Sequence, residues 1–363
     1  MKEQPSVITS RSIPKSRRAL IGLTTEQLRE KSVELGFEPF RGKQLAEWLY
    51  QKRARTFDAM TNLPAAFRDA LSANHTIGWP EVVSTYSADD GTAKFLVEYA
   101  DGNRVECVLL PYEDRAGVCL SSQVGCAAGC VFCATGAMGF TRNLTPGEMV
   151  AQALVAEDRL VTQSSSATTR LSHVVFMGMG EPLWNLENVI QAVYLLNEEM
   201  KIGMRGITVS TVGIPPAMRT LAEEKLQITL AVSLHAGTEE VRRQLVPVAR
   251  KYPMESVFAA ADRYFDLTGR RVTYEYVLLG GVNDTKEEAT ALAAWLRGRP
   301  AHVNLIPWNP ARSISEFKAP HREAVARFRN VLESVQIPVT QRFERGRGID
   351  AACGQLAIGK RRR

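Results

Sequence analysis

The sequence of 363 residues has no long apolar run. No stretch approaches the roughly 20 apolar residues of a membrane-spanning helix, which argues against a helical membrane protein. The first residues, MKEQPSVITSRSIPKSRR, also lack the apolar segment of a secretory signal. We therefore expect a cytoplasmic protein whose six cysteines are reduced thiols, not a disulfide-stabilised secreted fold.

The chain also lacks the paired ligands of a structural zinc site. Cys126, Cys130 and Cys133 follow a Cys-x3-Cys-x2-Cys spacing in one turn-prone loop, but a closed zinc site needs four ligands, and no second Cys or His pair stands nearby. Closely spaced thiolates also bind Fe–S clusters, and three of them leave one iron of a [4Fe–4S] cluster open. The spacing favours a catalytic cluster with these three cysteines as ligands.

Charge is unevenly distributed along the chain. The first 60 residues and the last 23 residues each carry a net charge of +5, whereas the middle carries −4. Basic ends suit a polyanionic partner such as RNA, because each contact between a phosphate and Lys or Arg releases counterions. Solubility alone is the competing explanation.

Periodicity predicts a helical region followed by strands. Thr24 is a candidate N-cap of a first helix, and further helices are expected at 41–52 and 64–72. Alternating residues at 95–99 and 104–110, joined through Asp101-Gly102, predict a β-hairpin. Strands then alternate with helices to residue 343, which indicates an α/β fold with a parallel sheet of six or seven strands.

Four motifs resemble one enzyme family. The cysteine triad resembles the radical S-adenosylmethionine (SAM) signature, and three longer phrases resemble the RlmN/Cfr family of adenine RNA methyltransferases. The phrases are SSQVGC at 121–126, FMGMGEP at 176–182 and IDAACGQL at 349–356. The resemblance runs from about Leu23 to Leu356.

The resemblance implies a partial (β/α)6 barrel with a small N-terminal accessory domain. On this basis we predict a disordered basic arm, a helical RNA-binding domain, a β-hairpin extension, the barrel, and a C-terminal loop with a reactive cysteine and a basic tail; their ranges are 1–18, 19–92, 93–115, 116–346 and 347–363. Ligand sites of such barrels lie at the carboxyl ends of the strands.

The resemblance also implies site residues and cofactors. The cofactors are a [4Fe–4S] cluster and S-adenosylmethionine, of which two molecules are used per turnover. The residues that match family contacts to S-adenosylmethionine are Gly180, Glu181, Ser210, Ser233, Leu234, His235 and Asn309. Without the resemblance, His235 would be interpreted as a core histidine.

Three further residues have catalytic roles by resemblance. Cys353 is methylated on sulfur and then forms a covalent adduct with RNA, and Cys119 resolves that adduct through a disulfide with Cys353. The ring proton goes to Glu106, the proton acceptor by resemblance, or to Cys119. Cys107 matches no family role and is expected to be structural. Where the family has an acidic pair before IDAAC, this chain has Arg347-Gly348.

The implied substrates are an adenosine of the peptidyl-transferase loop in 23S rRNA and, in some members, the adenosine beside the tRNA anticodon. RNA loops suit this reaction because their bases are already partly unstacked. The basic helix at 41–55, with Arg53 and Arg55, and the tail Lys360–Arg363 are the expected backbone contacts. An electron donor such as flavodoxin or ferredoxin and a monomeric state complete the expectation.

Three alternatives stay open at this point. Methylation at carbon 8, as in the Cfr type, is one, although Pro182 and the phrase IPWNP at 306–310 favour carbon 2. A radical maturase with a protein or small-molecule substrate would share the cluster but has no need of Cys119 and Cys353. A zinc-bearing RNA-binding module without enzymatic activity is the third.

Overall fold

A computed structural model describes residues 17–163, 170–310, 314, 316–342, 345–346 and 348–357. Most of the predicted arm at 1–18 lies outside these residues. Arg347, the tail Lys360–Arg363 and the predicted loop beyond Gln163 lie outside them as well.

The described residues form 14 strands. They are β1 (Arg18–Ala19), β2 (His75–Thr76), β3 (Glu81–Ser87), β4 (Ala93–Glu98), β5 (Arg104–Pro111), β6 (Ala116–Cys119), β7 (Gln123–Cys126), β8 (Gly139–Asn143), β9 (His173–Phe176), β10 (Ile207–Thr211), β11 (Thr229–Ser233), β12 (Val272–Leu278), β13 (Ala301–Pro307) and β14 (Val339–Gln341).

Ten α-helices accompany these strands within the described residues. They are α1 (Thr25–Glu34), α2 (Phe40–Ala46), α3 (Ala65–Asn74), α4 (Pro146–Gln163), α5 (Leu186–Glu198), α6 (Pro215–Glu223), α7 (Glu239–Leu245), α8 (Met254–Thr268), α9 (Lys286–Leu296) and α10 (Arg322–Ser334). None of the described helices is long and apolar enough to cross a membrane.

Ten strands form one sheet in the order β14-β13-β12-β11-β10-β9-β6-β5-β4-β3. Seven strands of this sheet are parallel, and their order in the sheet is their order along the chain: β6, β9, β10, β11, β12, β13 and β14. Helices occur in the connections between them because parallel strands need a crossover. The predicted α/β fold with a partial barrel is confirmed. The predicted hairpin is β4 and β5, and it continues the sheet because β5 pairs with β6.

Several local features differ from the prediction. Strand β3, the β7–β8 hairpin and helix α7 were not predicted. The helix expected at 41–52 is α2 followed by a π-helical segment, Glu47–Gln51. Thr24 is the N-cap of α1 as expected, since its side chain accepts a hydrogen bond from the Gln27 N–H at 3.2 Å.

The N-terminal helices are held on the barrel by polar contacts. The backbone N–H of Thr25 donates to Glu199 at 2.7 Å, just after α5. Arg53 pairs with Glu157 of α4 at 3.5 Å, and its side chain is only 17% exposed. Arg55 pairs with Asp158 at 2.6 Å. Both arginines therefore join protein elements in the structure. Arg53 is less available to RNA than the sequence suggested, whereas the Arg55 side chain is still 54% exposed.

Candidate active site at the carboxyl ends of the barrel strands

A cavity of about 130 Å³ lies at the carboxyl ends of the parallel strands. The predicted residues that line it are Cys126, Cys130, Cys133, Gly180, Glu181, Ser210, Ser233, His235 and Cys353. Residues from the middle and the far end of the sequence thus meet at one place. Four predicted site residues do not line the cavity: Glu106, Cys119, Leu234 and Asn309.

The cysteine loop is the turn of the β7–β8 hairpin. Cys126 ends β7, and Gly125 before it has φ = +75° at an irregularity in the pairing. A Cβ atom at Gly125 would lie 1.9 Å from the carbonyl oxygen of Gly139. Only glycine fits this conformation and this close approach of the two strands, so it fixes the position of the first cysteine.

Hydrogen bonds fix the rest of this loop to two other walls of the cavity. The Val131 N–H donates to the Leu245 carbonyl at 3.1 Å, and the Trp308 indole N–H donates to the Phe132 carbonyl at 3.3 Å. The loop is therefore connected to α7 and to the residue after β13.

The three thiols are suitable ligands for an iron–sulfur cluster. Cys126 and Cys130 are each only 8% exposed. Burial raises the pKa of Cys126 to about 12, even though the Ala128 N–H donates to its sulfur at 3.4 Å. Burial also raises the pKa of Cys130, and the charges of Cys133 and Cys126 raise it further. Cationic irons would relieve this repulsion between thiolates.

Within the described part of the chain, no three side chains of His, Cys, Asp or Glu are grouped so as to bind a single metal ion. The donor set is three thiols beside a cavity, and it fits a cluster in which each thiolate binds a different iron.

Gly180 and Glu181 form the turn that follows β9. Gly180 has φ = +104°, and a Cβ atom there would lie 2.6 Å from the Gln123 side chain. The Glu181 carboxylate is 2% exposed and accepts hydrogen bonds from the N–H groups of Leu183 at 2.9 Å and Val212 at 2.8 Å. Burial nevertheless raises its pKa to about 7. The carboxylate keeps lone pairs for a bound amine.

Ser210, Ser233 and His235 lie at the ends of β10 and β11. The two serine hydroxyl groups are 3.2 Å apart. His235 is a non-glycine residue with φ = +62°, a sparsely populated conformation that is enriched at functional sites. Its Nδ1 accepts a hydrogen bond from the Val277 N–H at 3.1 Å, and burial lowers its pKa to about 3. The ring is therefore neutral, and because Nδ1 accepts a hydrogen bond, its proton is on Nε2.

The two predicted reactive cysteines are close enough to interact electrostatically. Cys119 ends β6 and is 9% exposed. Burial and then the charge of Cys353 raise its pKa to about 12. Arg342 is the nearby cation: burial lowers its pKa, but the charges of Glu275 and Cys353 outweigh that effect and raise it. Arg342 donates to Glu275 at 3.2 Å.

Glu106 contacts the loop that carries Cys353. Its carboxylate pairs with the Lys94 ammonium group at 3.1 Å and accepts a hydrogen bond from the Ala357 N–H at 3.1 Å. Lys94 also donates to the Asp350 carbonyl at 3.1 Å. Burial raises the pKa of Glu106, while Lys94 lowers it. The ion pair thus holds both ends of the C-terminal loop.

Sequence reasoning missed Lys94, Glu275 and Arg342. Lys94 and Glu275 are charged residues within mainly apolar strand sequences, KFLVE and VTYEYVL, and each is at most 6% exposed. A charge at a position that should face the core was the available signal, because buried charges need partners.

Family models match two parts of the chain. Residues 19–77 match the model described as the ribosomal RNA large subunit methyltransferase N-terminal domain. Residues 120–293 match the radical SAM superfamily model, which contains the cysteine triad and the Gly180-Glu181 turn.

Curated relatives and one solved structure cover nearly the whole chain. A protein of Symbiobacterium thermophilum named "Probable dual-specificity RNA methyltransferase RlmN" is 49% identical, over 94% of this chain and 91% of the relative. One of Rhodopirellula baltica with the same name is 47% identical, over 98% and 95%. A radical SAM methyltransferase structure from Sphaerobacter thermophilus has a TM-score of 0.89 at 46% identity, covering 93% of this chain and 99% of that one.

Proposed function

Because the chain belongs to the RlmN family of radical SAM methyltransferases, we propose that it methylates carbon 2 of an adenosine in RNA. The substrates are an adenosine of the peptidyl-transferase loop in 23S rRNA and the adenosine beside the tRNA anticodon. The observation that supports this most directly is the meeting of the cysteine triad and Cys353 around one cavity.

The family uses a [4Fe–4S] cluster and S-adenosylmethionine, which when bound supply a methyl group for a sulfur and a radical that removes a hydrogen atom from that methyl group. Cys126, Cys130 and Cys133 hold the cluster in this proposal. Gly180 and Glu181 bind the methionyl end of S-adenosylmethionine, and Ser210, Ser233, Leu234, His235 and Asn309 contribute the other contacts.

Cys353 carries the carbon that is transferred. An adenine ring carbon is a poor nucleophile, so direct displacement would favour the ring nitrogens, whereas a carbon radical on the Cys353 sulfur adds to carbon 2. Loss of the ring proton and of one electron, which the bound cluster would accept, then leaves RNA joined to the protein through a carbon–sulfur bond. The Cys119 thiolate attacks the Cys353 sulfur, the carbon–sulfur bond breaks, and the carbon takes up a proton to become the methyl group.

Glu106 accepts the ring proton in this scheme. Its carboxylate retains lone pairs beyond those engaged by Lys94 and Ala357, and its raised pKa makes it a stronger base than an exposed glutamate. Glu106 also holds the end of the Cys353 loop, so its substitution is expected to affect both proton transfer and the position of Cys353.

Trapping the RNA adduct tests this proposal. We expect anaerobically reconstituted Cys119→Ala protein to form a covalent protein–RNA complex that survives denaturation, and the Cys119→Ala/Cys353→Ala double variant to form none. Cys107→Ala is the matched control, because Cys107 is also a buried strand cysteine but matches no catalytic role.

Mass spectrometry of the methylated adenosine distinguishes carbon 2 from carbon 8. Full methylation by Cys353→Ala protein would refute the sulfur-borne route. Methylation only at carbon 8 would retain the route but overturn the proposed position.

A further inference from the structure

One oxygen of the Glu275 carboxylate has no hydrogen-bond partner among the described residues. Glu275 is 3% exposed and lines the cavity. Its Oε1 accepts hydrogen bonds from Asn304 at 2.9 Å and Arg342 at 3.2 Å. Its Oε2 is buried and has no hydrogen-bond partner among the described residues. Because buried polar atoms are nearly always paired, this oxygen calls for a donor that the chain does not provide.

The neighbours of Glu275 form a polar row across the inside of the barrel. Glu275 on β12 is in register with Ser233 on β11 and with Asn304 on β13. The Ser233 hydroxyl group in turn contacts Ser210 on β10. Side chains in register on neighbouring strands point to the same face. The Ser233 hydroxyl group and the Glu275 carboxylate therefore lie side by side at one level of the cavity wall, and the Ser210 hydroxyl group is next to Ser233.

Apolar residues form the next level of the same wall. Val277 is two residues after Glu275 on β12 and thus faces the same side, and Ile306 and Trp308 also line the cavity. A nucleoside matches these two levels, because its flat apolar base is attached to a sugar that carries hydroxyl groups. Burial raises the pKa of Glu275, and the charge of Arg342 and the hydrogen bond from Asn304 lower it; the ionised carboxylate is an acceptor only, which matches a hydroxyl donor.

We propose that Glu275 Oε2 binds a ribose hydroxyl group of a nucleoside in the cavity. The inference rests on the proposed function, which supplies two nucleosides with such a hydroxyl group: S-adenosylmethionine and the target adenosine of RNA. Glutamate or aspartate binds ribose hydroxyl groups in this way in dinucleotide-binding folds. Glu275 is then a binding residue that neither cysteine chemistry nor cluster binding requires.

The test measures equilibrium binding, not turnover. Dissociation constants for S-adenosylmethionine and for the RNA substrate are measured with reconstituted wild-type and Glu275→Gln protein. Loss of a charge-assisted hydrogen bond is expected to weaken one of the two ligands about tenfold. The same measurements use S-adenosylmethionine analogues that lack one ribose hydroxyl group, and RNA with deoxyadenosine at the target position.

The combination of both changes separates a direct contact from a general disturbance. If Oε2 binds the hydroxyl group, removing that hydroxyl group weakens binding about tenfold in wild-type protein and adds little in Glu275→Gln protein. The ligand whose analogue shows this pattern is the one bound. Glu157→Gln is the matched control, because Glu157 is also a buried glutamate, on α4, and is not among the cavity-lining residues.

Two results would overturn the inference. Either both ligands bind Glu275→Gln protein as tightly as wild-type protein, or removal of each hydroxyl group costs the same in both proteins; an ordered water then occupies the Oε2 site. If wild-type protein binds neither ligand, the proposed function itself fails, which is a distinct outcome.

Discussion

Ala134, one residue after the last cysteine of the triad, donates its backbone N–H to the carbonyl of Gly354, one residue after Cys353, at 2.8 Å. The next residue, Thr135, donates its hydroxyl group to the Leu356 carbonyl at 2.6 Å. These two bonds fasten the C-terminal loop to the cysteine loop. The position of Cys353 relative to the triad therefore depends on them.

Replacement of Thr135 by valine is expected to loosen the C-terminal loop. Valine has a similar shape but lacks the hydroxyl group, and loss of this buried hydrogen bond should cost about 1 kcal/mol of local stability. Faster amide hydrogen exchange in residues 352–357 measures the effect. Thr290→Val is the control, because the exposed Thr290 hydroxyl group bonds only within α9. Unchanged exchange in 352–357 would show that the bond does not hold the loop.

Replacement of Lys94 by methionine is expected to destabilise the protein increasingly as pH rises. Lys94 and Glu106 form a buried pair, and removal of the cation leaves a buried carboxylate uncompensated, which costs about 3–5 kcal/mol when it is ionised. The pKa of Glu106 is already raised from 4.5 in the folded protein by burial, so this group contributes most to stability at low pH and loses that contribution as pH rises through the folded pKa. Without Lys94, which lowers this pKa, the loss becomes larger.

Urea unfolding between pH 5 and pH 8 measures this prediction. The difference between wild-type and Lys94→Met protein should grow with pH, and Lys94→Met/Glu106→Gln should recover most of it because the charge is gone. A difference that is constant across this range would contradict the assignment to Glu106.

Replacement of Cys130 by alanine is expected to abolish cluster binding. A [4Fe–4S] cluster with three protein thiolates loses an iron ligand, so iron, sulfide and the visible absorption of the cluster should fall together. Cys107→Ala should retain all three, because Cys107 lies in β5 and is not one of the proposed cluster ligands. Full iron content in Cys130→Ala protein would require a different ligand set.

Charge reversal at Arg53 is expected to weaken the fold more than RNA binding. Glutamate at this position would face Glu157 in a mostly buried contact, so the melting temperature should fall. Lys43 is exposed on α2 and serves as the matched basic position. Lys43→Glu should leave the melting temperature nearly unchanged while reducing the slope of log K against log salt concentration by about one or more. If the two reversals changed the salt slope equally, Arg53 would contact RNA after all, and the prediction would be wrong.

The sequence was sufficient for the parts of the site that are local. The cysteine triad and the Gly180-Glu181 turn each lie within a few residues, and strand periodicity predicted the parallel sheet that places them at one edge. Cys119 and Cys353 were predicted as site residues through family resemblance only, because no local pattern relates positions so distant in sequence.

What could not be predicted depends on pairing between distant segments. The register of β11, β12 and β13 puts Glu275 next to Ser233 and Asn304. The sequence of a single strand does not determine how it is aligned with its neighbours. Arg53 seemed part of a basic surface because its acidic partner, Glu157, lies in a helix a hundred residues later. The β7–β8 hairpin was missed because its long turn carries the cysteines and has no short hairpin signal.

Glu106 and Cys119 are fixed by the pairing of β5 with β6, whereas Cys353 lies on a loop and is less firmly held. Cys119 on β6 is paired with Val108 on β5, and Glu106 lies two residues before Val108. Backbone hydrogen bonds hold the two strands about 4.8 Å apart, so Glu106 and Cys119 keep fixed positions relative to each other. Cys353 is instead held by a loop with a few side-chain and backbone contacts. The spacing between Glu106 and Cys119 is therefore set by the sheet, whereas the position of the Cys353 sulfur depends on the few contacts that hold its loop.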